Sequence, residues 1–210
     1  MKNSAMRALS VMVLGAAIWG AASACTAAKG EPEPERWAAN KGSALVVMDM
    51  QVGFMPIRRS SRIFAAVQGL VAAADAAGAT VVWVYTDHEV SRKGTPAFEV
   101  APPLAPAPGH LSVTKVGTNA FSGTGLIDML AERGVGRVVF CGLASDGCVK
   151  ASVESAVALG YKVVVAEDAH TVVSAYGPDS AINAMNVAWR TMQGVELLPA
   201  ADVRFDAPRR

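Results

Sequence analysis

The chain is predicted to be an α/β protein built on a parallel β-sheet, and three observations predict it. From Ser43 onward, short unbroken apolar runs alternate with segments whose apolar residues recur at helical spacing. The runs lack the in–out alternation of a half-exposed strand, so each is buried on both faces, as in a sheet covered by helices on either side. The 210 residues suit one domain of ordinary size with enough apolar content for a core.

The elements follow in order. Ala44 to Met48 is the first strand and ends in Asp49. Ser61 to Ala77 is a helix with Gly78 as its stop. Thr80 to Tyr85 is the second strand and Leu111 to Val116 the third. Gly125 to Arg133 is a helix, Arg137 to Cys141 the fourth strand, and Cys148 to Leu159 a helix closed by Gly160. Lys162 to Ala166 is the fifth strand, Asp179 to Met192 the last helix, and Val195 to Leu198 a short final strand. There are no internal repeats.

The first residues read differently. Lys2 and Arg7 precede an apolar stretch, Ala8 to Ala22, that is shorter than the roughly 20 residues of a membrane span. Ala22-Ser23-Ala24 then offers small residues for cleavage, so residues 1–24 are expected to be a secretory signal. Ala22-Ser23-Ala24-Cys25 resembles a bacterial lipobox, with Ala22 where Leu is usual. Cys25 is thus a candidate lipidation site, and a periplasmic or membrane-anchored lipoprotein and a plainly secreted protein both remain open. Residues 25–40, with their Glu-Pro-Glu-Pro-Glu run, are expected to be a flexible linker, and residues 41–210 the folded domain. A formal net charge of +1, no basic stripe and three histidines argue against nucleic acid as a partner. Export makes a disulfide between Cys141 and Cys148 conceivable. A strand end and a helix start seven residues on point their side chains differently, however, and two free thiols are the expectation.

In open parallel sheets ligands bind beyond the carboxyl ends of the strands. Those ends carry Asp49, the Asp87-His88 pair, Lys115, and the small-residue turn Gly142 to Val149 that delivers Cys148 at an expected helix start. Singly each has a plain structural reading: a turn cap, a loop residue, an edge lysine, a small buried thiol. On one rim they make a nucleophilic site. Lys115 and the helix terminus would draw the Cys148 pKa from about 8.5 into the range of roughly 3.5–7.5, favouring thiolate. Asp49 would take the thiol proton and return it to a leaving amine. Backbone N–H groups of the turn would hold an oxyanion.

Three spaced motifs also resemble the isochorismatase-like cysteine hydrolases. They are Ala44-Leu-Val-Val-Met-Asp49-Met-Gln51-Val-Gly-Phe54, Val113-Thr-Lys115-Val-Gly-Thr-Asn119-Ala-Phe121, and Gly142 to Val149, with Ala158 to His170 following as in the family. The resemblance runs from about Ser43 to Phe205. It implies a three-layer α/β/α fold with a six-stranded parallel sheet, and a triad of nucleophilic Cys148, proton-shuttling Asp49 and thiolate-stabilising Lys115. It also implies an oxyanion hole from the N–H groups of Ala144 and Cys148, a cis peptide between Leu143 and Ala144, and a homo-oligomer. Gln51, Phe54, His88, Asn119 and Phe121 are the candidate substrate-binding residues. Core packing is a competing role for the two phenylalanines and loop structure for His88. His110 and His170 are read as structural.

Family members with a metal hold it on an Asp-x-His pair and further histidines. Here Asp87 and His88 are adjacent and no second histidine follows before Gly109, so no metal and no cofactor are expected. The segment from Gly94 through the Pro-rich stretch to Gly109 resembles the long loop of a metal-free subgroup that includes streptothricin-type amide hydrolases, and is expected to form a lid. Cys148 turns the expectation toward carbon–nitrogen bonds in small amides, ureides or carbamoyl compounds. The alternatives are an isochorismatase-type vinyl ether hydrolase and a non-catalytic envelope protein that binds a small molecule on the same scaffold. A redox role fits poorly, because the Cys141–Cys148 spacing is not Cys-x-x-Cys.

Overall fold

The computed structural model describes Trp37, residues 39–174 and residues 178–207. The expected signal segment, Cys25 and nearly all of the expected linker lie outside the described residues. The order is β1 (Gly42–Met48), α1 (Ser60–Ala76), β2 (Thr80–Thr86), β3 (Leu111–Lys115), α2 (Leu126–Glu132), β4 (Val135–Leu143), α3 (Lys150–Ala158), β5 (Lys162–Thr171), α4 (Asp179–Arg190) and β6 (Val195–Leu198). All five strand pairings are parallel, and the six strands lie in the order β3-β2-β1-β4-β5-β6.

That order places the site. The chain starts in the middle at β1, walks outward to β3, then returns to lay β4 against the other side of β1. The gap beyond β1 and β4 is a topological switch point, where loops leave in opposite directions and open a crevice. β1 explains its own central position: all seven residues are buried. Alternate side chains serve two cores. Ala44, Val46 and Met48 pack with Leu126 and Leu130 of α2, Val153 of α3 and Trp189 of α4. Leu45 and Val47 face Ile63, Val67, Leu70 and Ala74, the buried stripe of α1. Helices on both faces of a parallel sheet make the three-layer α/β/α architecture.

Most boundaries shift by one or two residues from expectation, and four differences bear on the site or the core. β5 runs five residues past Ala166, because a bulge between Phe140/Val165 and Gly142/His170 lets it carry polar residues and still rejoin β4. α3 begins at Lys150, so Cys148 sits in a wide turn, Ser145–Val149, broken at Gly147 (φ −120°, ψ −107°). Val116 falls outside β3 and is 82% exposed. The fold also reaches back into the expected linker: Trp37 stacks on Tyr161 with ring centroids 5.2 Å apart, and its indole N–H donates to the Leu159 carbonyl.

Candidate active site

β1 stops at Met48 because the next residue turns. Asp49 adopts φ 50°, a left-handed conformation that short polar residues tolerate better than most. Its N–H donates to the Val84 carbonyl (3.0 Å), and its carbonyl accepts the Gln51 N–H (2.8 Å). The carboxylate so aimed is almost fully buried and both oxygens are partnered. Oδ1 accepts the Thr86 hydroxyl at 2.8 Å and Oδ2 the Lys115 ammonium at 2.9 Å.

Lys115 is the last residue of β3 and is 2% exposed. Besides Asp49, its Nζ contacts Thr86 Oγ1, the Gly117 carbonyl (3.0 Å) and Cys148 Sγ (3.2 Å). Four acceptors thus compete for three N–H donors. β4 reaches the site through Gly142 (φ 104°), where a Cβ would lie 2.2 Å from the Met48 carbonyl oxygen, so only glycine lets the two central strands end this close together. The Leu143–Ala144 peptide is cis. The Ala144 carbonyl accepts the N–H groups of Gly147 (3.0 Å) and Val149 (3.1 Å), closing the turn that bears the half-buried Cys148.

The electrostatics correct one expectation. Burial pushes the Cys148 thiol up to about 11, and the Asp49 carboxylate adds to the rise by charge and by hydrogen bond, while Lys115 pulls the other way. The resting sulfur is a protonated thiol facing a carboxylate base, not a preformed thiolate. The physical reason is placement: the sulfur precedes the first regular turn of α3 and is packed among apolar neighbours.

The remaining candidates divide. Phe54 lines a cavity of about 330 Å³ with Met55, Pro56, Val90 and Val173, and its ring lies 6.4 Å from that of His88. His88 itself is exposed, with Nδ1 accepting the Val90 N–H at 3.4 Å. Asn119 Oδ1 accepts the Phe121 N–H at 2.9 Å, a local turn that follows β3. Two candidates are buried. Gln51 is fully buried and its amide bonds backbone groups: Nε2 donates to the carbonyls of Thr86 (3.2 Å) and Phe98 (3.0 Å), and Oε1 accepts the Thr86 N–H (2.7 Å). Phe121 belongs to the core, stacked on Tyr161 and edge-on to Phe140.

The segment expected to form a lid is docked on the exit of β1. Its residues bond β1's exit through Val52 N–H to Glu99 carbonyl (2.9 Å) and Ala101 N–H to Met50 carbonyl (2.8 Å), and Phe98 stacks on Tyr85. Asp87 Oδ1 accepts the Lys93 N–H at 3.0 Å. Among the described residues no three His, Cys, Asp or Glu side chains gather as a metal site. Cys141 and Cys148 are both free thiols, Cys141 being wholly buried.

Four residues outside the candidate list border these groups. Thr86 links Asp49 to Lys115. Ser145, His170 and Asn186 form a hydrogen-bonded row behind the turn that bears Cys148. Thr86 had a usable signal, since it ends β2 as Lys115 ends β3. His170 ends the stretch that resembles the family and is read there as structural; its place beside Ser145 depends on the β5 bulge, which the sequence pattern does not announce.

Known proteins resemble the chain in sequence and in fold. The Isochorismatase domain model matches residues 43–197. A streptothricin hydrolase of Streptomyces noursei is 33% identical over 180 residues, which cover 79% of this chain and 65% of that protein. The fold is shared with a cysteine hydrolase of Pseudomonas syringae pv. phaseolicola (TM-score 0.68, 24% identity, 76% of this chain and 89% of that one). It is shared equally with an N-carbamoylsarcosine amidase from Thermoplasma acidophilum (TM-score 0.67, 24% identity, 77% and 98%). With the Isochorismatase domain model matched over most of its length, this chain belongs to the isochorismatase family.

Proposed function

We propose that the chain is an exported cysteine hydrolase that cleaves the carbon–nitrogen bond of a small amide, ureide or carbamoyl compound. One observation carries this: a single ammonium, Lys115 Nζ, lies 2.9 Å from a buried carboxylate and 3.2 Å from a half-buried thiol. A thiol beside a base is suited to attack on a carbonyl carbon. The names of the relatives, a streptothricin hydrolase and an N-carbamoylsarcosine amidase, support the same bond type.

Cys148 Sγ attacks the carbonyl carbon as Asp49 takes the thiol proton. Lys115 stabilises the sulfur's developing charge, and the N–H groups of Ala144 and Cys148 receive the oxyanion. Asp49 returns the proton to the nitrogen, the C–N bond breaks, and ammonia or an amine leaves a thioester on Cys148. Water, deprotonated by Asp49, then adds to the thioester carbon, and the acid departs as the thiol is restored. Phe54 forms an apolar wall for the substrate, with His88 and Asn119 as polar groups near it. The N-terminal sequence supports export, with Cys25 as the lipidated residue of an anchored form, and a homo-oligomer belongs to the same reading.

Purified full-length chain is incubated with primary amides, ureides and carbamoyl compounds while ammonia is followed. Release by the wild type and none by a folded Cys148→Ala variant is the expected result; release persisting in that variant overturns the assignment. Binding of such a compound by the folded wild type with no turnover favours the binding-protein alternative. Cell fractionation of wild type and Cys25→Ser tests the anchor: the variant is expected to leave the membrane fraction.

A further inference from the structure

We infer that Asn186, His170 and Ser145 form a positioning relay that holds the nucleophile turn from behind and seats the Cys148 sulfur between Asp49 and Lys115. This rests on the reading of Cys148 as the reactive group. Asn186 Nδ2 donates to the Glu167 carbonyl at 3.1 Å, which fixes the amide and leaves Oδ1 to accept from His170 Nε2 at 2.7 Å. A ring that donates from Nε2 while neutral has a lone pair on Nδ1, and that nitrogen is 2.8 Å from Ser145 Oγ. The tautomer is therefore determined along the whole row: the Ser145 hydroxyl donates to His170, and His170 donates to Asn186.

The fold builds this row deliberately. The β5 bulge sets residues 166–169 opposite the single residue 141 and brings His170 into register with Gly142, two residues before Ala144. The bulge also supplies the Glu167 carbonyl that orients Asn186. His170 is 1% exposed and lies edge-on to Trp189, with ring centroids 4.9 Å apart, while Ser145 is fully buried. Burial pushes the imidazole down to about 4, so it stays neutral and keeps its acceptor across the ordinary pH range. Ser145 lies between the two amides assigned to the oxyanion and three residues before the sulfur. Its side-chain bond ties the wide turn to the sheet exactly where regular helix geometry is missing.

The seat is read by alkylation of Cys148 in the full-length protein with iodoacetamide as a function of pH, followed on the Cys148 peptide by mass spectrometry so that the other thiols do not interfere. In the wild type the midpoint is expected near 11. Ser145→Ala and His170→Leu each release the sulfur from its buried place. Their midpoints are expected to fall by about 1 unit or more toward the ordinary value near 8.5. His170→Asn, which offers an amide oxygen near the Nδ1 position, is expected to stay near the wild type, and the double variant to match the singles. Midpoints unmoved in folded Ser145→Ala and His170→Leu, or His170→Asn shifting as far as His170→Leu, would overturn the relay. Ser145→Ala removes one hydroxyl and keeps the measurement available should His170→Leu not fold. Because alkylation needs no turnover, a chain that hydrolyses no amide would defeat the proposed function and leave this result intact.

Discussion

At the edge where the strands begin, His110 Nε2 bonds Asp75 Oδ1 at 2.8 Å, and its Nδ1 accepts N–H groups from Trp83 and Ala107, each at 3.0 Å. At the edge where they end, Lys115 bonds Asp49 at 2.9 Å and reaches Thr86, Gly117 and Cys148. Both are acid–base clusters tying distant segments together. In the first, both ring nitrogens are occupied by structural partners and the carboxylate is half in water (46% exposed), so the cluster does no more than pin the loop before β3. In the second, the carboxylate is sealed off and the ammonium has more acceptors than protons, one of them a half-buried sulfur. A polar cluster becomes chemical when its groups are buried together and one partner is left able to react.

Breaking each cluster should therefore give different signatures. Lys115→Met leaves Asp49 buried without a counter-charge; a loss of about 3–5 kcal/mol is expected in urea unfolding. Ammonia release should fall with it by about a thousandfold or more. The double variant Asp49→Asn/Lys115→Met should regain most of the stability and none of the activity.

The next effect is one of pH. His170 in the folded protein is held at about 4 by burial, against an ordinary value near 6.5. As pH falls through that window the unfolded chain takes up a proton and the native chain does not, so stability declines on acidification. This residue should contribute a loss of up to about 3 kcal/mol between pH 7 and 4, seen as a steeper fall in the urea midpoint than in His170→Asn.

Smaller effects sharpen the contrast. Thr86→Val keeps the shape but strips Asp49 Oδ1 and Lys115 of a shared partner. Stability should drop by about 1–3 kcal/mol and kcat by about 10–100-fold. His110→Leu should cost about 1–2 kcal/mol of stability and leave kcat of the folded enzyme unchanged. A fall in kcat there would show that the two edges are coupled.

Much of this was legible from the residues. Strands buried on both faces advertise themselves as apolar runs, and parallel order puts their polar terminal residues on one rim, which is how Asp49, Lys115 and Cys148 could be gathered without coordinates. What stayed hidden depends on partners far along the chain. Gln51 sits inside a site motif, yet its amide serves backbone groups 35 and 47 residues away. Phe121 ends the lysine motif, and of its two open roles the packing of Tyr161 and Phe140 around it gives the core one. The strap over residues 94–101 docks through main-chain hydrogen bonds, which side-chain patterns do not encode. The Cys148 thiol departs from expectation because the helix starts two residues later than the small-residue turn suggests, which puts burial and Asp49 ahead of the helix dipole.

The central claim is that Asp49, Lys115 and Cys148 act together on one carbonyl carbon. Its most direct test is intact-mass spectrometry of the full-length protein, quenched with acid during turnover of an amide that it hydrolyses. The expected result is a mass increase equal to the acyl group, located on the Cys148 peptide and absent from Cys148→Ala. Ammonia released at full rate with Cys148 unmodified throughout would contradict it.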